Sequence, residues 1–318
     1  STAGQSLNIV YSDATKGWLP VSDDAVADVG TAPPTQKAIF GFGFSSTNIT
    51  NLVSSSGVVA TDTTGVGTSR HGLAAAGYGG DKAIFGYGAG VTNLTNLVSN
   101  AGVVATDTTG VGTARIVLAA ASYGGDKAIF GYGDSGGDTY VSMSNLVSSS
   151  GVVADDVTGV GTGRSGLAAT GYGGDKAIFG YGYNSSARVS MSNLVSNSGV
   201  VATDVSGVGT ARDSSAATGY GGDKGIFGYG DTGSKVSLTN LVSNIGVVGS
   251  DVTGVGTARR GLAAAGYGGD KAIFGYGTTA SNVSMTNLVS NSGVVATDVS
   301  GVGTARQLLA AAGYSLSA

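Results

Sequence analysis

The sequence predicts an all-β fold, a six-bladed β-propeller of four-stranded antiparallel blades whose ring is closed by the C-terminal strand. Three observations carry that expectation. One motif recurs six times at near-constant spacing, each period holds four short apolar runs, and each end of the array lacks one run that the other end supplies. The remaining residues, 1–36, form an N-terminal β extension and linker, and the propeller takes 37–318.

The motif Lys-Ala-Ile-Phe-Gly-Tyr-Gly begins at Lys37, Lys82, Lys127, Lys176, Lys224 and Lys271, with Phe42 for Tyr in the first copy and Gly225 for Ala in the fifth. The spacings are 45, 45, 49, 48 and 47 residues. A period of that size marks units that bury their apolar faces only by stacking on neighbours. In the fourth unit the apolar runs are residues 167–172, 177–182, 189–195 and 200–203, punctuated by Gly and Ser as strands are. Gly173-Gly174-Asp175 supplies a tight turn between the first two, and residues 196–199 turn between the last two. Four antiparallel strands per period make a blade.

The first strand of each unit is rich in alanine, as in Ala74-Ala75-Ala76, Ala119-Ala120-Ala121 and Ala310-Ala311-Ala312. Small side chains suit a crowded axis, whereas Ile and Phe of the second strand fill the wider space between blades, each burial contributing roughly 1.5–3 kcal/mol. Residues 306–314 are a first strand with no second strand after it, and the motif at Lys37 has no Ala-rich strand before it. Pairing them completes a blade and removes two open edges.

This layout resembles the kelch repeat over residues 37–318. An Arg opens each inner strand, at Arg70, Arg115, Arg164, Arg212, Arg259 and Arg306, and a short apolar strand ending in glycines follows. Two departures stand out: the glycine pair is split as Gly-Tyr-Gly, and the Trp late in the kelch repeat is missing. Copper-oxidase chemistry, which some kelch-type propellers carry, needs His and Cys ligands that this chain does not have. The segment Ile9-Val10-Tyr11-Ser12-Asp13-Ala14-Thr15-Lys16-Gly17-Trp18 resembles a small β module of phage virion and tail-fibre proteins. The near-identical Gly/Ser/Thr-rich repeats are similar to C-terminal regions of phage fibre proteins. These resemblances imply a virion or extracellular location, with a host-surface glycan or protein and other virion or fibre subunits as partners. The alternative for residues 1–36 is an ordinary extension packing beside the ring, with residues 23–34 as a linker.

Composition narrows the function classes. The chain has 58 Gly but only 3 Pro and is 41% hydrophobic, more apolar than disordered chains. Its formal net charge is -4 and only 11% of residues are charged, which argues against a nucleic-acid partner. No apolar run nears the roughly 20 residues of a membrane span, so no membrane insertion is expected. Ser1 to Gln5 has no secretory pattern. With no Cys and a single histidine, His71, neither a first-row metal site nor a nucleophile–base pair is expected, and no cofactor.

The charged repeats read as structural. Asp81, Asp126, Asp175, Asp223 and Asp270 sit in Gly-Gly-Asp turns, and Asp62, Asp107, Asp156, Asp204, Asp251 and Asp298 end the fourth strand. A residue present in every blade serves the blade through turn or inter-blade bonds, with Ca²⁺ binding as the alternative. For the six Arg the alternative is anion binding at the channel mouth.

Where the repeats differ is more telling. All length variation falls in the loop between the second and third strands, with 7, 7, 11, 10, 9 and 9 residues, and subtracting it leaves 38 in each complete period. This loop contributes Phe44, then Asp134, Asp138 and Tyr140, then Tyr183, Asn184 and Arg188, then Asp231 and Lys235. The residue after each repeated Arg also varies: His71, Ile116, Ser165, Asp213, Arg260 and Gln307. In an antiparallel blade both sets lie at one rim, opposite the Gly-Gly-Asp turns. Loops on a rigid scaffold carry recognition, although loops also drift freely in length. The expected function is a non-enzymatic recognition module, a phage fibre or extracellular adhesin binding through this variable face. The alternatives are a structural spacer or decoration protein of a virion or extracellular assembly, and a glycan hydrolase. The last needs two carboxylates about 5–10 Å apart, for which Asp134, Asp138, Asp213 and Asp231 are the candidates.

Overall fold

The structure is a computed structural model that describes residues 9–13, 17–20, 35–44 and 47–317, and among these every regular element is a strand. The chain divides into two units, residues 1–31 and 32–318. In the first, β1 (Ile9–Asp13) and β2 (Gly17–Pro20) pair antiparallel with Tyr11 opposite Trp18. The expected start of that strand at Leu7 and the 23–34 linker lie outside the described residues.

The second unit is six antiparallel sheets. Sheet 1 opens with β3 (Lys37–Gly43) and β4 (Thr47–Val53). Sheet 2 is β5 (Ala74–Tyr78), β6 (Lys82–Gly86) and β7 (Thr95–Val98), and sheet 3 is β8 (Ala119–Tyr123), β9 (Lys127–Gly131) and β10 (Ser144–Val147). Sheet 4 is β11 (Ala168–Tyr172), β12 (Lys176–Gly180) and β13 (Ser192–Val195). Sheet 5 is β14 (Ala216–Tyr220), β15 (Lys224–Asp231) and β16 (Lys235–Val242), and sheet 6 is β17 (Ala263–Tyr267), β18 (Lys271–Gly275) and β19 (Thr286–Val289). The last strand, β20 (Ala310–Tyr314), pairs antiparallel with β3, Tyr314 opposite Lys37 and Ala310 opposite Gly41. The architecture is propeller-like, and the Ala-rich strand is innermost, as expected.

The expected fourth strand is a correction: each sheet has three strands. The outermost segment touches its neighbour at isolated bridges, such as Val195 to Val201 and Ser192 to Val205 in sheet 4. A side chain interrupts the ladder. Asn193 Nδ2 donates to the Ala202 carbonyl at 3.0 Å and to Asp204 Oδ1 at 2.9 Å. The Ala202 carbonyl thus takes its bond from an amide side chain, and residues 203–204 leave the strand path. Asn51, Asn96, Asn145, Asn240 and Asn287 repeat the device in the other sheets.

The core lies between sheets. Each motif Phe presses its ring onto a glycine of the preceding sheet; a Cβ on Gly131 would stand 2.7 Å from the Phe179 ring. The residue between the motif glycines adopts a left-handed φ, 62–67° for Phe42 and the five Tyr. That conformation is costly for a side-chain-bearing residue, and packing holds it there. Tyr87, for example, meets Phe130 of the next sheet at 5.1 Å between centroids and lies under the Arg115 guanidinium at 4.7 Å.

Candidate binding face

Both variable sets meet at one rim in every sheet. Ile116 bridges Asp134, Ser165 bridges Tyr183, Asp213 bridges Asp231, and Arg260 bridges Thr278. Phe44 N–H donates to the Gln307 carbonyl and Ala89 N–H to the His71 carbonyl, both at 2.7 Å. At the same rim, backbone bonds of 2.7–3.0 Å run between sheets from Val117 to Gly72, Gly166 to Val117, Ser214 to Gly166, Gly261 to Ser214, Leu308 to Gly261 and Gly72 to Leu308. The opposite, uniform rim has its own series. Gly79, Gly124, Gly173 and Gly221 donate to Asp126, Asp175, Asp223 and Asp270, then Gly268 to Gln36 and Ser315 to Asp81. Thr35-Gln36 thus stands in sheet 1 where other sheets have Gly-Gly-Asp.

Behind the variable residues lies a buried polar lattice. All six repeated Arg are fully buried, away from any channel mouth. Arg164 donates from Nε to the Tyr181 carbonyl at 2.9 Å and from Nη2 to Asn193 Oδ1 at 2.6 Å, and its guanidinium lies 4.3 Å from the Tyr132 ring centroid. Asp204, 3.7 Å from Arg164 Nη1, accepts from the Thr162 amide and hydroxyl. Burial alone raises the Asp204 pKa, but these bonds with Asn193 and Arg164 outweigh it and hold the carboxyl below its ordinary value. The Gly-Gly-Asp carboxylates are engaged too: Asp81 accepts from Lys82 at 2.7 Å and Asn100 at 3.0 Å. Among the described residues no group of three or more His, Asp or Glu side chains is placed to hold a metal ion.

The variable rim divides into two sectors. Over sheets 1–4 it is aromatic and aliphatic. Exposed Phe44 packs edge-on against His71 at 5.0 Å, Tyr140 meets Tyr183 at 6.0 Å, and half-buried Ile116 lies between these pairs in chain order. Burial lowers the His71 pKa, which keeps the imidazole neutral at pH 7. Asp134 accepts from the Gly136 amide, Asp138 sits 3.3 Å from the Tyr140 hydroxyl, and Asn184 caps its own loop through Ser186 and Ala187.

Over sheets 4–6 the rim is charged, and three sheets contribute to one cluster. Arg188 reaches Asp213 from Nε at 3.3 Å and Asp231 from Nη2 at 3.1 Å, and Arg260 Nη1 reaches Asp231 Oδ2 at 2.8 Å. Burial raises the Asp213 pKa in spite of Arg188. For Asp231 burial is outweighed by the Gly233 amide, Arg188 and Arg260, and its pKa falls. Lys235 is the hairpin partner of Asp231, and Gln307 is half-buried in sheet 1. Of the four candidate carboxylates, the fold joins Asp213 with Asp231 and leaves Asp134 and Asp138 together in another loop.

One residue of this region escapes a reading confined to loops and first positions. Ser215 occupies the buried place of Leu73, Leu118, Leu167, Leu262 and Leu309, and its Oγ has no hydrogen-bond partner. It stands two positions beyond Asp213, at the third residue after the repeated Arg. A separate cavity of about 250 Å³ is lined by the six inner strands toward the uniform rim, chiefly by Ala and Gly, with Tyr side chains and charged residues such as Lys176, Lys224, Lys271 and Asp223 among the rest. It contains none of the variable residues.

No protein-family profile and no curated protein matches this chain. The solved structure of YjhT is similar in fold, with a TM-score of 0.61 at 12% sequence identity, covering 84% of this chain and 99% of that one. The likeness supports an all-β, propeller-like architecture.

Proposed function

We propose that the six sheets are the blades of a closed kelch-like propeller, and that its variable rim is a recognition surface of a phage fibre or extracellular adhesin for a host-surface glycan or protein. Closure is supported by the β20–β3 pairing and by two series of inter-sheet bonds that each return to the sheet where they start. The observation that carries the recognition reading is the placement of variation. Every variable loop and first residue shares the rim opposite the Gly-Gly-Asp turns. Fixed blades with one variable rim suit recognition.

The test exchanges the sheet 3 and sheet 4 loops (residues 134–143 and 183–191) for the shortest loop of the array and measures adsorption to host cells. Adsorption lost with the melting temperature retained is the expected result. Unchanged adsorption sinks the reading in favour of a spacer or decoration role. Hydrolysis of a glycan has one observation behind it, the pairing of Asp213 and Asp231 with opposite pKa shifts. Arg188 binds both carboxylates, which opposes that role.

A further inference from the structure

Three cations at the variable rim have no counterpart in the other repeats. Among the described residues, six Arg are fully buried, and the motif Lys stand at the uniform rim, where five of them meet the adjacent Asp at 2.7–3.5 Å. Arg188, Lys235 and Arg260 are left. Sheets 4, 5 and 6 supply one each, yet the fold gathers them around Asp231. The sheets do not need this cluster to join. Val117, Gly166, Ser214, Gly261, Leu308 and Gly72 make the same backbone bond at every boundary, with or without charges nearby. What the cluster adds is a property of the surface.

Its geometry turns positive charge outward. Asp231 Oδ1 accepts from the Gly233 amide at 2.7 Å and from Arg188 Nη2 at 3.1 Å, and Oδ2 accepts from Arg260 Nη1 at 2.8 Å. Asp213 accepts from Arg188 Nε at 3.3 Å. The side chains of Asp231 and Asp213 are 8% and 19% exposed, those of Arg188 and Arg260 31% and 45%, so solvent meets the guanidinium groups first. Arg260 keeps its whole Nε–Nη2 edge, two parallel donors, free of any described partner, and Arg188 keeps Nη1. Lys235 stands opposite Asp231 on the eight-residue strands β15 and β16. Opposed side chains share a face with Cβ atoms about 4.5–5.5 Å apart. The Asp231 oxygens are already taken, however, and among the described residues the Lys235 ammonium has no ion-pair partner. Three cations over two carboxylates leave one positive charge, in a chain whose formal net charge is -4.

We propose that Arg188, Arg260 and Lys235, positioned by Asp213 and Asp231, form a site for a singly charged oxyanion, the carboxylate of an acidic saccharide such as a uronate. A guanidinium edge matches a carboxylate through two parallel N–H bonds. One surplus positive charge balances one carboxylate. A phosphate monoester, at about -1.5 to -2, brings more negative charge than the cluster offsets. Tyr183 is the cross-strand partner of Arg188, and its aromatic face suits the C–H side of a sugar ring. The choice of a saccharide rests on the recognition reading, whereas the anion site rests on the cluster alone.

The experiment uses the whole chain and measures binding by saturation-transfer NMR and titration. The probes are D-glucuronate, its methyl ester as the uncharged match, and the 6-phosphate and 6-sulfate of D-glucose. D-glucuronate should bind, and the ester at least tenfold more weakly. Lys235→Gln, which breaks no ion pair within the protein, should weaken glucuronate binding severalfold at an unchanged melting temperature, and Arg260→Gln at least tenfold. Lys127→Gln at the uniform rim should leave affinity within twofold. Equal binding of glucuronate and its ester overturns the site, as does parental affinity in both Lys235→Gln and Arg260→Gln. Tighter binding of the 6-phosphate overturns the single charge, and tighter binding of the 6-sulfate overturns the carboxylate. No anion binding with cell adsorption intact overturns the site and spares the recognition reading. Glucuronate binding without adsorption keeps the anion site and sinks the recognition reading.

Discussion

The two rims are opposite ends of the same strands, yet one is nearly identical in every sheet and the other differs in each. At the uniform rim side chains take part in the construction: Asp81 holds Lys82 and Asn100 while its carbonyl receives the Ser315 amide. The repeated inter-sheet bonds are backbone to backbone at both rims, but at the variable rim no side-chain bond recurs from sheet to sheet, and only the Arg188, Asp213, Asp231 and Arg260 cluster adds side-chain bonds between sheets. The repeated bonds there ask only for a left-handed φ, met by Val117, Ser214 and Leu308 at 52–55° as well as by Gly72, Gly166 and Gly261. Side-chain identity at the neighbouring position is thereby released, and His71, Ile116, Ser165, Asp213, Arg260 and Gln307 hang on one common scaffold. Variation is permitted where no repeated side-chain bond is built into the rim.

That contrast can be broken in graded steps. Removing residues 306–318 takes β20 from sheet 1, two links from the variable-rim series and one from the uniform-rim series, and cooperative thermal unfolding followed by circular dichroism should be lost. A truncated chain melting near the full-length value would show that both rims hold without β20. Arg164→Ala leaves Asn193 and Asp204 without their buried partner and should cost about 3–5 kcal/mol in denaturant unfolding. A loss under about 1 kcal/mol would mean that the buried lattice is not what carries the rim.

Acid should act on all sheets together. Asp62, Asp107, Asp156, Asp204, Asp251 and Asp298 have folded pKa values below their ordinary 3.8. Their contribution is complete above pH 3.8 and is lost as pH falls through the depressed values. Asp213 has the opposite sign: its raised pKa penalises the folded state at neutral pH, and protonation relieves that before the other six titrate. Melting temperature should hold or rise slightly from pH 7 toward 4 and then drop, and Asp213→Asn should abolish the rise.

Smaller steps sharpen the comparison. Gly131→Ala drives a Cβ into the Phe179 ring and should cost about 1–3 kcal/mol by the same denaturant measurement. Asp138→Ala on the variable rim should change stability by no more than about 0.5 kcal/mol. A large effect there would show that the loop carries structure.

Much of this was legible in the sequence, for identifiable reasons. The inner and middle strands announce themselves through Ala-Ala-Ala and Ala-Ile-Phe-Gly, because burial on both faces selects small or apolar residues throughout. The fourth strand was not legible: Val200–Thr203 has strand composition, and it is the folded chain that brings Asn193 to the carbonyl a ladder would use. The shared rim followed from strand direction. The joining of Arg188, Asp213, Asp231 and Arg260 did not, since it depends on which loops lean across a sheet boundary. Ser215 is legible as one Ser against five Leu at the third position after the repeated Arg, but nothing in its composition marks that position as buried.

The seam between β3 and β20 also sets an order of events during synthesis. The hairpin of β3 and β4 leaves the ribosome early, while the strand that flanks it arrives some 270 residues later, on the order of tens of seconds at usual elongation rates. Through that interval the Lys37–Gly43 edge stays open to any passing strand, including one from a second nascent copy. The arrival of Ala310–Tyr314 is thus what ends that edge's exposure to wrong partners.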